Sequence, residues 1–294
     1  MFAPVPNTEP IERRRRVQNR LLRSLASGEY RRLAPHLEPI TLPHGQVLHH
    51  TDDDVDHVYF PMHGICGVVA TTGSGHGIDV GSIGCEGVTG VFMLTAAMAA
   101  AQVVVQVGPV TALRLSIQRF AEEMDRQGAF RQLVTGYYQA FLNEVVDSVS
   151  CNRLHSARER YDRRLLTIAD RIGSDSFAVT HGLMASILGI QRSAVSNMAL
   201  QLKHQGIIDY RRGALTIVVR AALESSACVC YGVSRARVAH LLPPPPPRPN
   251  QKSSTDLVAA SGSKSSGAHL AYRPITPTPA PEPAAATRRP HGKR

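Results

Sequence analysis

THGLMASILGIQRSAVSNMALQLKHQGIIDYRRGALTIVVR, residues 180–220, is the stretch on which the reading of the whole chain turns. Thr180 is placed to cap a helix whose apolar positions Leu183, Met184, Ile187 and Leu188 recur at three- and four-residue spacing. Gly189 permits the positive φ that ends such a helix, and Ile190-Gln191 turn the chain. A second helix is predicted over Arg192–Gln205, with Val195, Met198 or Ala199, and Leu202 on its packing side. Its other side presents Gln191, Arg192, Ser193, Ser196 and Asn197, hydrogen-bonding groups with no acid among them. Gly206 stops the helix. Ile207–Tyr210 and Leu215–Val219 then read as a hairpin that turns through Arg211-Arg212-Gly213-Ala214. These parts, in this order, make a winged helix-turn-helix. The competing reading, an ordinary helical hairpin followed by a β-hairpin, needs every one of them to coincide by chance.

A helix of this size fills a B-DNA major groove, and side chains at its start reach base edges. Arg192 suits a guanine O6/N7 pair, and Gln191 or Asn197 suits an adenine. Arg211 and Arg212 on the wing suit phosphates, which add affinity without sequence information. Thr180, Gln191, Arg192, Ser193, Ser196, Asn197, Arg211 and Arg212 are therefore the candidate DNA-binding residues. Across the stretch, Arg192, Lys203, Arg211, Arg212 and Arg220 oppose the single acid Asp209, a net +4. Of the formal +10 of the 294-residue chain, +6 lies in the last 52 residues, so local charge is the informative quantity.

Other classes find little support. Cys66, Cys85, Cys151, Cys228 and Cys230 form no disulfide-like framework. Cys228-x-Cys230, with Cys66, Cys85 or Cys151, lacks the usual zinc spacing, so reduced structural thiols are the expectation and no metal or cofactor is assigned. His44, His49, His50, His57, His63 and His76 are scattered without ligand spacing. No P-loop, nucleophile elbow or paired-carboxylate motif is present, so no enzyme is expected. Thr72–Gly77 is glycine-rich but lacks a P-loop lysine. No apolar run reaches membrane-spanning length, and MFAPVPNTEPIERRRR has no signal-peptide core, so a cytoplasmic protein without membrane contact is expected.

The chain divides by composition. Residues 1–19 are a flexible start that includes Arg13–Arg16. Residues 20–119 open with two short helices. They continue as β-rich runs at Val47–Leu48, Val58–Phe60, Gly64–Ala70, Ile78–Ile83, Val103–Val107 and Ala112–Leu115, the pattern of a small antiparallel sandwich or barrel. Residues 120–153 read as one long helix. Its stripe of Phe130, Val134, Tyr137 or Tyr138, Phe141, Val145 and Ser148 or Val149 fits either its own β-domain or a dimer seam, with the seam preferred. Residues 154–235 hold the winged helix-turn-helix, including a further helix near Ala157–Ile172 and a short one over Ala221–Cys230. Residues 243–294 predict a disordered, proline-rich, basic tail. The fold class is thus α+β.

A β-rich domain, a long helix and a C-terminal winged helix-turn-helix together resemble the Crp–Fnr family of bacterial transcription regulators. The resemblance also rests on Leu42–Leu48, on Val58-Tyr59-Phe60-Pro61 followed by Gly64, on Cys151–Arg160, on Leu223-Glu224 and on Ala227–Tyr231. It implies a jelly-roll, cyclic-nucleotide-binding-like sensory domain, a homodimer, a near-palindromic DNA target and contact with RNA polymerase. Where family members hold a cyclic nucleotide with Gly-Glu and Arg-Ser or Arg-Thr pairs, this chain has Thr89-Gly90 and Ala100-Ala101. A cyclic phosphate buried there would lack its cation, so a degenerate pocket and an effector other than cyclic AMP are expected. The recognition helix keeps Arg192 but has Ser193 and Asn197 where well-known members have Glu and Arg. The runner-up reading is a small-molecule signalling module acting through protein contacts.

Overall fold

The computed structural model describes residues 17–71, 77–90, 101–211 and 213–242. The arginine run 13–16, the glycine-rich turn 72–76, most of the apolar run 91–101 and the tail 243–294 fall outside these residues.

Helices α1 (Arg20–Ser24) and α2 (Ser27–Leu33) lead into a sheet of β1 (Glu38–Leu42), β2 (Val47–His49), β3 (His57–Thr71), β4 (Gly77–Ile83) and β5 (Gln102–Ser116). The strands are antiparallel in the order β1-β5-β3-β4, with β2 also paired to β5. The runs expected as separate strands at Val58–Phe60 and Gly64–Ala70 are one strand, as are Val103–Val107 and Ala112–Leu115. Gly64 explains the continuity: at φ +83 it bends β3 without ending it, and a Cβ there would lie 2.6 Å from the Val107 carbonyl oxygen. The shifts of register around it are bulges rather than turns.

The long helix predicted over 120–153 is two helices, α3 (Ile117–Asp125) and α4 (Ala129–Leu154). Gln127 takes a positive φ between them, and α4 is capped from a distance, by Glu29 Oε1 accepting from the Phe130 N–H at 3.2 Å. The expected dimer seam is corrected at its four most buried members. Phe130, Val134, Tyr137 and Phe141 are 0–3% exposed within one chain, packed with Phe60, Val68 and Leu115 of the sheet. Tyr138 and Val145 lean on the same core. Burial is worth about 1.5–3 kcal/mol for each such side chain, so the stripe is committed to its own domain. Gly81 and Gly87 make room for it, since a Cβ at either would strike the ring of Phe141 or Tyr137.

Helix α5 (Ala157–Ile172) opens on a Ser156–Glu159 capping box and closes on Gly173 at φ +74. After it come β6 (Ser176–Ala178), α6 (His181–Leu188), α7 (Arg192–His204), β7 (Ile208–Arg211), β8 (Ala214–Ile217), α8 (Arg220–Ser226) and α9 (Cys230–Leu241). The wing is three-stranded, β6-β8-β7; three residues were too few for β6 to register as a strand in the sequence. A second core gathers Tyr161, Leu165, Leu166, Met184, Val195, Leu202 and Leu215, and it includes Ile65 and Val107 from β3 and β5. Helix α9 was not expected as such. It returns to α4, where Leu241 packs by Gly136, Arg237 pairs with Asp147, and Leu242 joins the first core. No helix among the described residues is long and apolar enough to cross a membrane.

Candidate nucleic-acid interface

The Thr180 hydroxyl oxygen accepts from the Leu183 N–H at 3.1 Å, as a cap should. Gly189 sits at φ +64, and the Ile190 N–H reaches back to the Ala185 carbonyl at 3.1 Å, which closes α6 and starts the turn. Val195, Met198, Ala199 and Leu202 bury one side of α7. Gln191, Arg192, Ser193 and Asn197 are exposed on the other. Gln191 makes no side-chain cap, so the first N–H groups of α7 point outward at the positive end of its dipole. Arg192 forms no ion pair with any described residue.

Ser196 departs from expectation. Its hydroxyl is half-buried, donates to the Arg192 carbonyl at 3.0 Å and lies 2.9 Å from His181 Nδ1. His181 in turn stacks edge-on against Tyr210 at 5.0 Å, and the Tyr210 hydroxyl donates to the Val179 carbonyl. Ser196 and His181 thus stitch α6 and α7 to the wing, and the Ser196 hydroxyl proton is engaged within the chain. Burial, with the charge of Arg192, pulls the His181 pKa below its usual value. The sequence carries no signal for His181, because its neighbours come from two other segments, α7 and β7.

On the wing, the Arg211 side chain is 85% exposed and pairs with Asp209 at 2.5 Å, while Lys203 reaches the same carboxylate at 3.3 Å. Arg212 lies outside the described residues. Arg220, counted in the positive charge of this stretch, is spent internally: it pairs with Asp170 at 2.6 Å, Glu224 at 2.9 Å and Asp175 at 3.1 Å. The usable positive charge is smaller than the sequence suggests.

Behind the reading head, α5 meets the sheet through buried ions. Arg171 Nε lies 2.9 Å from Glu86 and its Nη2 2.6 Å from Glu144, and Nη1 donates to the Ser82 hydroxyl. Arg164 reaches Asp79 at 3.0 Å, and Gln106 donates to the same carboxylate at 2.6 Å. Burial works against the Arg171 charge, but the Glu144 and Glu86 carboxylates outweigh it and raise its pKa above the ordinary arginine value. Sequence reasoning missed this joint entirely, since its members span residues 79–171.

In the expected degenerate pocket, Thr89 is fully buried and its hydroxyl oxygen accepts from the Tyr59 N–H at 2.9 Å. Gly90 is buried at φ +75 and Ala101 is buried, while Ala100 lies outside the described residues. No Lys or Arg occurs from Gly77 to Leu113, and the buried carboxylate of this loop, Glu86, is occupied by Arg171. The cysteines are regrouped as well: Cys151, Cys228 and Cys230 stand together with His155, which the spacing argument left out.

The chain matches the family profile of the cyclic nucleotide-binding domain over residues 39–127 and that of the Crp-like helix-turn-helix domain over residues 159–226. It is a Crp–Fnr-like transcription regulator with a helix-turn-helix DNA-binding domain. This regulator shares its fold with FixK2 of Bradyrhizobium japonicum (14% identity, TM-score 0.58, 66% of this chain and 98% of that one). The c-di-GMP responsive global regulator CLP of Xanthomonas campestris is similar (14% identity, TM-score 0.52, 65% and 99%). So is a CooA variant from Carboxydothermus hydrogenoformans (15% identity, TM-score 0.51, 76% and 98%). No curated protein matches the regulator by sequence.

Proposed function

We propose that this regulator acts as a homodimer that reads a near-palindromic DNA site through α7, with residues 20–119 sensing a signal other than cyclic AMP. The observation that carries the reading is the exposed, acid-free start of α7 at Gln191, Arg192, Ser193 and Asn197, set on a buried apolar side. Arg192 contacts a guanine, Asn197 or Gln191 an adenine, and Arg211, with Arg212, the phosphates. Thr180, exposed at the start of α6, lies where a backbone phosphate would pass. The two heads enter successive major grooves about 34 Å apart. RNA polymerase is the partner through which bound DNA becomes output, and the site of action is the cytoplasm. Nothing in this reading asks for catalysis.

Pairing uses the exposed side of α4, including Val149 at the end of the stripe, rather than its buried aromatic residues. Val146 and Val149 are 64% and 68% exposed on that side, with Leu142 one turn before. Val149→Asp should convert a dimer to a monomer in sedimentation, with the far-ultraviolet spectrum unchanged. The joint of Arg171 with Glu86 and Glu144 is the route by which the sheet would bias the heads, because a signal acts only by favouring one placement over another.

The direct test selects duplexes from a random pool with the full chain at moderate salt. A recovered near-palindrome, whose binding survives random competitor and is lost in Arg192→Ala, supports the reading. No preference over random competitor sinks it.

A further inference from the structure

Four metal-ligand atoms converge at the joint between α4 and α5. Cys151 lies in the last turn of α4, His155 ends that helix, Cys228 follows α8, and Cys230 opens α9. The Sγ atoms of Cys151 and Cys228 are 3.6 Å apart, and Cys230 Sγ is 3.5 Å from His155 Nε2. All four ligand atoms fall within 4.8 Å of one another. The distances discriminate among the things such a cluster could be. A disulfide needs sulfurs at about 2.05 Å and uses two of the four groups. A tetrahedral ion with bonds of about 2.3 Å to sulfur and 2.0–2.1 Å to nitrogen sets sulfur–sulfur and sulfur–nitrogen edges near 3.8 and 3.6 Å. The two printed contacts lie close to these edges.

The local chain supports the same assignment. Cys151 and His155 are four residues apart, which puts both on one side of the helix end. Cys228-x-Cys230 supplies a second pair from the bend between α8 and α9. Cys151 and Cys228 are buried while His155 and Cys230 are partly exposed, so an ion has an inner seat and a way in. The positive charge of Arg163 acts on both Cys151 and Cys230, offsetting part of the excess that three thiolates would bring to a divalent ion.

The geometry points to a closed Zn²⁺ site formed by Cys151, His155, Cys228 and Cys230. Three sulfurs and one imidazole nitrogen in a tetrahedral set select zinc over oxygen-loving calcium or magnesium. With four protein ligands and no open position the ion is structural rather than catalytic. It pins the end of α4 to the end of the winged domain, so it holds the angle at which α5 leaves α4. This assignment concerns metal alone and stands whether or not the DNA reading does.

The test is metal content and spectroscopy on the full chain, expressed with zinc and purified in reductant without chelator. One zinc per chain is expected. Replacement by Co²⁺ should give thiolate charge-transfer absorption and the strong visible bands of a tetrahedral ion. Cys151→Ser risks the fold, because its sulfur is buried, so His155→Ala and Cys230→Ser carry the test, with circular dichroism to establish folding. Each should weaken zinc binding by more than the roughly 10–100-fold that follows loss of a ligand's hydrogen-bonding partner. Cys85→Ala, in the β-domain, should keep the ion and the spectrum. Folded, reduced protein without stoichiometric zinc overturns the assignment. So does a cobalt spectrum unchanged in both variants, which would put the ion on other residues.

Discussion

Arg164 and Arg171 on α5 and Arg192 on α7 belong to neighbouring helices of one domain, yet their charges are used in opposite ways. The first two are about 9% exposed and closed onto Asp79, Glu86 and Glu144. The third stands in solvent at the head of its helix with no ion pair among the described residues. A buried guanidinium is held by its partners and holds them in turn, because an uncompensated ion in a low-dielectric interior is costly. An exposed one contributes almost nothing to folding and is free to be neutralised by something else. The same contrast separates Arg220, surrounded by three carboxylates, from Arg211, 85% exposed on the wing. Residue type states only that charge exists. Burial decides whether the charge serves the fold or a ligand.

The largest expected effect tests the buried side. Arg171→Ala strands Glu86 and Glu144 and should cost about 3–5 kcal/mol of stability, read as the urea midpoint. An unchanged midpoint would mean the joint is solvated and the contrast between the two helices false.

Acid probes the same interior at a second point. Burial lowers the His49 pKa from 6.5 to about 4, with Asp56 opposing and His57 adding to the shift. The unfolded chain therefore binds the proton first. Stability is full above pH 6.5 and falls as the pH drops toward 4, by on the order of 3 kcal/mol from this group. Urea melts at pH 7 and pH 5 should show the fall, and His49→Gln should flatten it.

Arg192→Ala tests the exposed side. It should leave the urea midpoint within about 0.5 kcal/mol while costing roughly 1–3 kcal/mol of specific binding and relaxing one base position. Equal losses on specific and random duplex would remove it from base reading. Smallest is Arg211→Ala, which should weaken all duplexes alike and reduce the magnitude of the salt slope by about 1, measured by titrating binding against salt. A loss confined to one sequence would move Arg211 from phosphate to base.

What was legible in advance were the features written in short-range spacing. Thr180, Gly189 and Gly206 bracket two helices, and each needs only its nearest neighbours to act, so the reading head was visible almost to the residue. The β-rich runs of β3 and β5 were visible too, but Gly64 inside β3 fits a tight turn and a bulge equally, since a positive φ is compatible with either. The aromatic stripe from Phe130 to Phe141 was visible as a stripe; which surface it buries was not. Gly81 and Gly87, which admit the rings of Phe141 and Tyr137, lie 60 and 50 residues away from them. The contact of Ser196 with His181, and of His181 with Tyr210, joins segments that the sequence keeps apart.

By itself, then, the sequence determined the order of parts, the caps and turns that punctuate them, and the polar face of α7, because helical and strand periodicities are local properties of the backbone. Tertiary structure alone decided which charges and thiols are spent and on what. The Arg171 joint, the fate of Arg220, the side of α4 left open and the grouping of Cys151 with His155, Cys228 and Cys230 all depend on chain segments that meet only after folding. Burial and partner geometry, which set the energies of ions and metal ligands, do not exist until they do.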